Sequence, residues 1–341
     1  MKAMRIYTWG TPPVLESIPE PVAAKGRTLV RMHGATVSHL DRSVLSGRFF
    51  KQPPLPYTPG TEGAGVVMRS ERFPAGTRVW VRGAGLGTVM DGTWCEVISA
   101  PDEAIGLLPD GLPMEVGASF FSPCTAAWVA LHDVGGLRSG ERVVITGVTG
   151  AVGSVAAQLA VQAGAHVFAL MRDAGATEGL PSGVQPVLSR EQMPEGCNLL
   201  VDAIGGPGLA QLLTALAPGG RAVLIGYTAG NVSELNIANL IQRDVSVLPL
   251  NMLRRESAAR EAAPQLLQWL VEGKLELRTE RFALSNAASA LICITHRGLR
   301  AWAALLPYCT ALARVAFFAT RAEASFTVRG HSPPLQAQGG E

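Results

Sequence analysis

Between Arg142 and Gly164 the chain reads RVVITGVTGAVGSVAAQLAVQAG. No other stretch limits the fold so tightly. Arg142–Gly147 is an apolar run of buried-strand character, and Ala151–Gly164 is a small-residue helix closed by Gly164, a natural residue for a helix C-terminus. Between them stand Gly147, Gly150 and Gly153. Glycines at such a junction permit a tight turn, let the backbone approach a pyrophosphate, and let the helix pack close on its strand. The helix start adds free N–H groups and a dipole that favour an anion. The spacing is G-x-x-G-x-x-G, since position 148 is Val, so the stricter G-x-G-x-x-G pattern is not met. Its place between two strand-like runs makes this the expected dinucleotide turn, with Gly147, Gly150, Ala151, Val152 and Gly153 as cofactor-binding residues.

The chain on either side supports that reading. After about Gly117, strand-like runs alternate with helical ones: HVFAL, GVQPVL, NLLVDAIG, RAVLIG and VSVLPL, with LAQLLTALA and NIANLIQR between them. Such alternation predicts a parallel sheet covered on both faces. Gly226 and Tyr227 follow RAVLIG, where strand C-termini meet a ligand crevice, and join the cofactor-binding candidates. Before Gly117, short Val-rich runs broken by Gly and Pro predict a compact β domain. From Glu256 to Glu272 apolar pairs recur every four residues; Pro264 inside this pattern means that the helix starts near it or kinks there. Lys274–Leu284 reads as strand, Asn286–Ile294 as helix and Ala301–Pro307 as strand, and the polar end of the tail reads as disordered.

Composition excludes several classes. The 29 basic and 27 acidic residues leave a net charge of +2 without long blocks of one sign, which gives no electrostatic case for nucleic acid. Five scattered cysteines without a C-x-x-C pair point to reduced thiols, hence a cytoplasmic setting. The start has no signal-peptide pattern, and the most apolar stretch, Ala301–Phe318, is interrupted by Pro307 and Arg314, so no membrane span is expected.

Cofactor choice is read at the end of the second strand, in HVFALMRDAG. An acid there would hold the ribose 2′-hydroxyl of NAD, and an arginine nearby accommodates the 2′-phosphate of NADP. Met171 occupies the acid's position and Arg172 follows it, so NADPH is the expected cofactor.

Several longer motifs, in order, carry a family resemblance: LDRSVLSGRF, LPYTPGTEGAGVV, AGTRVWV, GTWCEV, CTAAWVAL, GVTGAVGSVAAQLA, VDAIGG, GGRAVLIG and RGLRAWAALLP. The sequence resembles the medium-chain dehydrogenase/reductase superfamily, in its zinc-free quinone oxidoreductase-like and enoyl reductase-like branch. The resemblance spans about residues 1–307. It implies an α/β fold, a GroES-like β-barrel catalytic domain plus a Rossmann doubly wound parallel sheet. The implied division is a catalytic domain over 1–116, a Rossmann NADP-binding domain over 117–251, a return to the catalytic domain over 252–307, and an atypical tail over 308–341. A homodimer is implied as well.

In zinc members of this superfamily the catalytic metal is held by Cys, His and a second Cys or Asp. The matching positions here carry Ser38, Thr61 and, near the third, Phe121, none of which suits zinc. No metal is therefore expected. Alcohol oxidation loses its Lewis acid, and Leu40 stands where a relay hydroxyl would be. Phe49 takes the place of a tyrosine that zinc-free relatives often carry after SG. The resemblance offers Ser38 as a hydrogen-bonding catalytic hydroxyl (or as a plain turn residue), His39 as a pyrophosphate contact and Thr125 as a residue beside the nicotinamide ribose. It implies a zinc-independent reductase that passes hydride from NADPH to a quinone or an α,β-unsaturated carbonyl. The alternatives are an enoyl reductase acting on a carrier-bound polyketide and a non-catalytic NADPH-binding sensor or partner protein.

Overall fold

In the computed structural model, residues 1–172, 174–294 and 302–307 are described, all inside the compact unit Met1–Ala311. The expectation for the tail, 308–341, lies outside these residues. The first half contributes β1 (Lys2–Arg5), β2 (Val14–Ser17), β3 (Arg27–Val37), α1 (His39–Leu45), β4 (Glu62–Arg69), β5 (Arg78–Arg82), β6 (Val97–Pro101), β7 (Ile105–Leu107) and α2 (Met114–Gly117). It continues through α3 (Phe121–Trp128), which runs on into a π-helical stretch, Val129–Val134. The second half contributes β8 (Arg142–Thr146), α4 (Ala151–Gln162), β9 (His166–Leu170), β10 (Val184–Val187), β11 (Cys197–Asp202), α5 (Leu209–Leu213), β12 (Leu216–Leu224), α6 (Ile237–Arg243) and β13 (Ser246–Pro249). Then follow α7 (Glu256–Val271), β14 (Thr279–Ala283), α8 (Ala287–Cys293) and β15 (Trp302–Leu306).

The barrel sheet, among the described residues, runs β14-β15-β3-β4-β5-β7, with β6 also paired to β3. Strand β3 is its spine, antiparallel to β4, β6 and β15. Two glycines make the β3–β4 contact possible. A Cβ on Gly65 would run into the Arg31 carbonyl, and one on Gly63 would lie 2.8 Å from the Gly34 carbonyl. The other sheet is fully parallel, in the order β10-β9-β8-β11-β12-β13. Strand order therefore reverses between β8 and β11, which is the ligand crevice of a doubly wound sheet.

The segment after residue 251 opens with a helix that touches both parts of the chain. Helix α7 packs in a core cluster that joins α3, α4 and the parallel sheet to Ala64 and Trp80 of the barrel, burying Ala259, Ala262, Ala263, Leu266 and Leu267. Burying each leucine stabilises by about 2 kcal/mol. The helix is continuous through Pro264, which rules out a start near that residue. The return to the barrel comes only at β14 and β15. The strand expected over Lys274–Leu284 is confined to Thr279–Ala283 because its first residues are tied elsewhere. The N–H groups of Lys274 and Leu275 donate to the Trp269 carbonyl, and Gln158 of α4 clamps both the N–H and the carbonyl of Glu276. Among the described residues no helix is long and apolar enough to cross a membrane.

Candidate active site

The glycine turn has the backbone that its sequence requires. Gly147 adopts φ +64°, a left-handed conformation open to glycine. A Cβ on Gly153 would run into the Gly147 carbonyl, so this position lets α4 begin directly on the turn. Around Gly150 only the Gly147 oxygen lies near, at 3.3 Å from an added Cβ, which leaves that face of the turn open. Ala151 and Val152 form the first turn of α4, and no side chain caps it. Its free N–H groups and the bare glycine cradle fit a dinucleotide pyrophosphate.

Asp202, at the end of β11, locks this turn from the neighbouring strand. Its Oδ1 accepts the Thr146 hydroxyl at 2.6 Å and the N–H groups of Ile204 and Gly205 at 3.1 Å each, and the Thr146 oxygen accepts from Ala203 N–H at 3.0 Å. Asp202 is fully buried and its Oδ2 has no hydrogen-bond partner. Asp202 lies within the VDAIGG motif, and nothing in the sequence ties it to Thr146. Gly226 sits against the same junction, where a Cβ would strike the Ala203 carbonyl. Tyr227 next to it is 64% exposed. Met171 is buried at the end of β9, and Arg172 after it is exposed. Thr125 is fully buried, and its hydroxyl donates to the Phe121 carbonyl of its own helix at 2.6 Å.

On the barrel side a carboxylate organises the positions that would hold zinc. Ser38 is the N-cap of α1 and forms a capping box with Asp41. Asp41 Oδ2 accepts from Ser38 N–H at 2.7 Å and from the Ser38 hydroxyl at 2.5 Å, while Oδ1 accepts from Thr61 N–H at 2.9 Å. Ser38, Asp41 and Thr61 are all buried. Burial pushes the Asp41 carboxyl above its usual range, against the pull of the Ser38 and Thr61 hydrogen bonds. The candidate hydroxyl of Ser38 is thus held by Asp41. His39 heads α1, exposed, with its imidazole pushed below the usual value by desolvation and by Arg42.

Phe121 stands in an aromatic cluster, its ring 4.7 Å from Trp80 and 5.9 Å from Phe120. Beside it, Glu62 accepts from Ser122 N–H at 3.1 Å through Oε2 and is raised to about 6 by burial, with Arg82 opposing. Arg260 of α7 lies over the Trp80 ring at 5.2 Å and donates to the Arg82 carbonyl at 2.7 Å, which joins the α7 layer to β5. Phe49 and Phe50 pair at 4.5 Å, with Phe49 packed on the barrel core and Phe50 76% exposed. Among the described residues no three His, Cys, Asp or Glu side chains come together to hold a metal ion.

Residues 24–110 match the alcohol dehydrogenase GroES-like domain family, and residues 151–272 match the zinc-binding dehydrogenase family. A zinc-type alcohol dehydrogenase-like protein of Schizosaccharomyces pombe is 31% identical over 267 residues, covering 74% of this chain and 79% of that one. The chain is a medium-chain dehydrogenase/reductase. This medium-chain dehydrogenase/reductase is also similar to human quinone oxidoreductase, 26% identical over 274 residues, covering 74% of this chain and 80% of the other. Its fold superposes on the yhdH oxidoreductase from Salmonella enterica, solved in complex with NADP, with TM-score 0.76 and 24% identity over 90% of this chain and 99% of that one. The family match, the glycine cradle and the uncapped α4 together make it an oxidoreductase that uses a nicotinamide cofactor.

Proposed function

We propose that this protein is a zinc-independent, NADPH-dependent reductase that delivers hydride to a quinone. The observation that carries the reading is the fate of the metal positions: Ser38 and Thr61 are joined through the Asp41 carboxylate, and Phe121 is packed in an aromatic wall. A Lewis acid has no ligands there, so an alcohol would lack its route to an alkoxide. A quinone needs none, because the added electron pair is delocalised over two oxygens.

The bound nicotinamide supplies the hydride. The protein's own residues then do three things. The Gly147–Gly153 turn and the first N–H groups of α4 bind the pyrophosphate, and Asp202 with Thr146 keeps that turn rigid. Phe121 and Trp80, both buried and packed on each other, form an apolar wall that excludes water. Asp41 holds the barrel loops at fixed separation, so that hydride donor and acceptor meet in one geometry. The hydride brings two electrons and one hydrogen, so the resulting hydroquinone monoanion takes a single proton from solvent.

The α,β-unsaturated carbonyl is the second acceptor class. It is less favoured, because its product carbanion needs a placed proton donor. Phe49 has no hydroxyl, and the Ser38 hydrogen is committed to Asp41. The preference for NADPH rests on the exposed Arg172 after a buried Met171. We extend the proposal to a homodimer: β13 is an outer strand of its sheet, and Ile237, Ile241 and Leu253 near it are 62%, 74% and 61% exposed. A cytoplasmic setting suits the buried free thiols of Cys95, Cys124 and Cys197. The test is NADPH oxidation with 1,2-naphthoquinone, a simple enone and a simple alcohol, with and without a chelator. Turnover with the quinone, insensitive to the chelator, is expected. Cofactor binding without turnover on any conjugated acceptor would refute the enzyme reading.

A further inference from the structure

A second cleft lies away from the nicotinamide turn. It encloses about 430 Å³ and is lined by Trp128, His132, Leu159, Gln162, Trp269 and Lys274. That volume is in the range of small-ligand sites, and so is its make-up of apolar walls with a few polar groups. Three of its seven lining residues carry aromatic rings. Trp128 and Trp269 lie 5.7 Å apart at 59°, and His132 sits 4.1 Å from Trp128. His132 belongs to the π-helical stretch Val129–Val134, a geometry that recurs at functional sites. Desolvation pushes its imidazole below the usual value, so it offers a neutral ring.

The charged side chain on this cleft is Lys274. Its side chain is 63% exposed and its ammonium meets Glu272 at 2.8 Å, which occupies one of its three donors. Its backbone is fixed on both sides: its N–H donates to the Trp269 carbonyl at 2.9 Å, and its own carbonyl accepts from Gln162. With the indoles tilted at 59°, a flat apolar ring can lie on the face of one and against the edge of the other, with an anionic group directed at Lys274.

The position of the cleft gives it a second meaning. It is formed by the C-terminal ends of α3, α4 and α7. The opposite ends of the first two, and the second turn of the third, build the site described above. Helix α3 begins with Phe121 and Ser122, α4 begins at the glycine turn, and α7 carries Arg260 against Trp80. Along α4, about 18 Å of rigid helix separates the two sites, at about 1.5 Å per residue.

We propose that this cleft is an effector site for a planar aromatic carboxylate, coupled to the nicotinamide site through the three helices that build both. The probe is 2-naphthoate, with 2-naphthamide as its neutral counterpart, titrated by calorimetry into the full chain. Naphthoate should bind at micromolar to submillimolar concentration, and the amide at least tenfold more weakly. Lys274→Gln should weaken naphthoate about tenfold while leaving turnover without effector unchanged. Trp269→Leu should abolish binding, and the exposed Lys274 variant decides the matter should that core-edge change fail to fold. Saturating naphthoate should shift the nicotinamide dissociation constant about fivefold or more, with the reciprocal shift in naphthoate affinity. No binding up to millimolar naphthoate, equal affinity for the amide, unchanged affinity in Lys274→Gln, or binding that leaves cofactor affinity unmoved would each overturn the proposal.

Discussion

Replacing Asp41 with asparagine tests the claim that one carboxylate stands in for the metal as the link between the loops. Each oxygen of Asp41 accepts from a different backbone segment: Oδ2 from Ser38 N–H at 2.7 Å, and Oδ1 from Thr61 N–H at 2.9 Å. Asparagine has one oxygen and one NH₂ group. With its oxygen toward Thr61, the NH₂ faces the Ser38 N–H; flipped, it faces the Thr61 N–H. In either orientation one buried donor loses its acceptor and meets another donor. Leaving such a group unsatisfied costs about 2–3 kcal/mol. At roughly 2 °C per kcal/mol for a chain of this size, the thermal midpoint should fall by about 4–6 °C. Ser38→Ala is the matched control. It keeps both backbone bonds and loses only the cap hydroxyl, about 1 kcal/mol or roughly 2 °C. Differential scanning fluorimetry on the two variants decides between them. A D41N midpoint within 1 °C of the parent, or a Ser38→Ala loss equal to that of D41N, would refute the carboxylate link, since the argument requires the bridge to outweigh the cap.

Glu62 gives a pH signature. Its carboxyl rises from 4.5 to about 6 in the fold, so the folded state binds the proton more tightly than the unfolded chain and stability is lost as pH rises between those values. At 1.36 kcal/mol per pH unit the loss is about 2 kcal/mol. Denaturant titrations should therefore show the parent losing that amount relative to E62Q between about pH 3.5 and 7, most steeply between 4.5 and 6, with a flat difference above. Gly153→Ala places a methyl group against the Gly147 carbonyl, and should weaken nicotinamide cofactor binding at least tenfold by calorimetry while the chain still folds. Arg172→Ala should weaken NADPH about tenfold and leave NADH within twofold, which fluorescence titration of the two cofactors would measure.

Much of the fold was legible because local rules set it. The glycine turn, the small-residue helix and the strand runs of the parallel sheet each depend on neighbours within a few residues, and each is where the pattern put it. The partners of α7 were not legible. An apolar stripe states that a helix is buried, and it carries no label for the surface that buries it. The residue types at Ser38, Thr61 and Phe121 were legible, whereas the carboxylate that links Ser38 to Thr61 was visible only as a capping acid three residues beyond Ser38. Its second oxygen reaches a residue 20 positions away, and chain reversal alone makes that contact.

Taken by itself, the sequence determined a parallel sheet with a dinucleotide turn, a glycine-punctuated β domain before it, and the absence of metal-binding side chains at the positions that relatives use. Those features are written in residue types and short spacings, which the backbone must obey wherever it goes. Tertiary structure alone decided how Asp202 locks the turn, how Asp41 spans two loops, and how α3, α4 and α7 frame a second cleft at their far ends. Each joins groups remote in the chain. Such pairings follow from how the layers pack, which no local pattern of residues encodes.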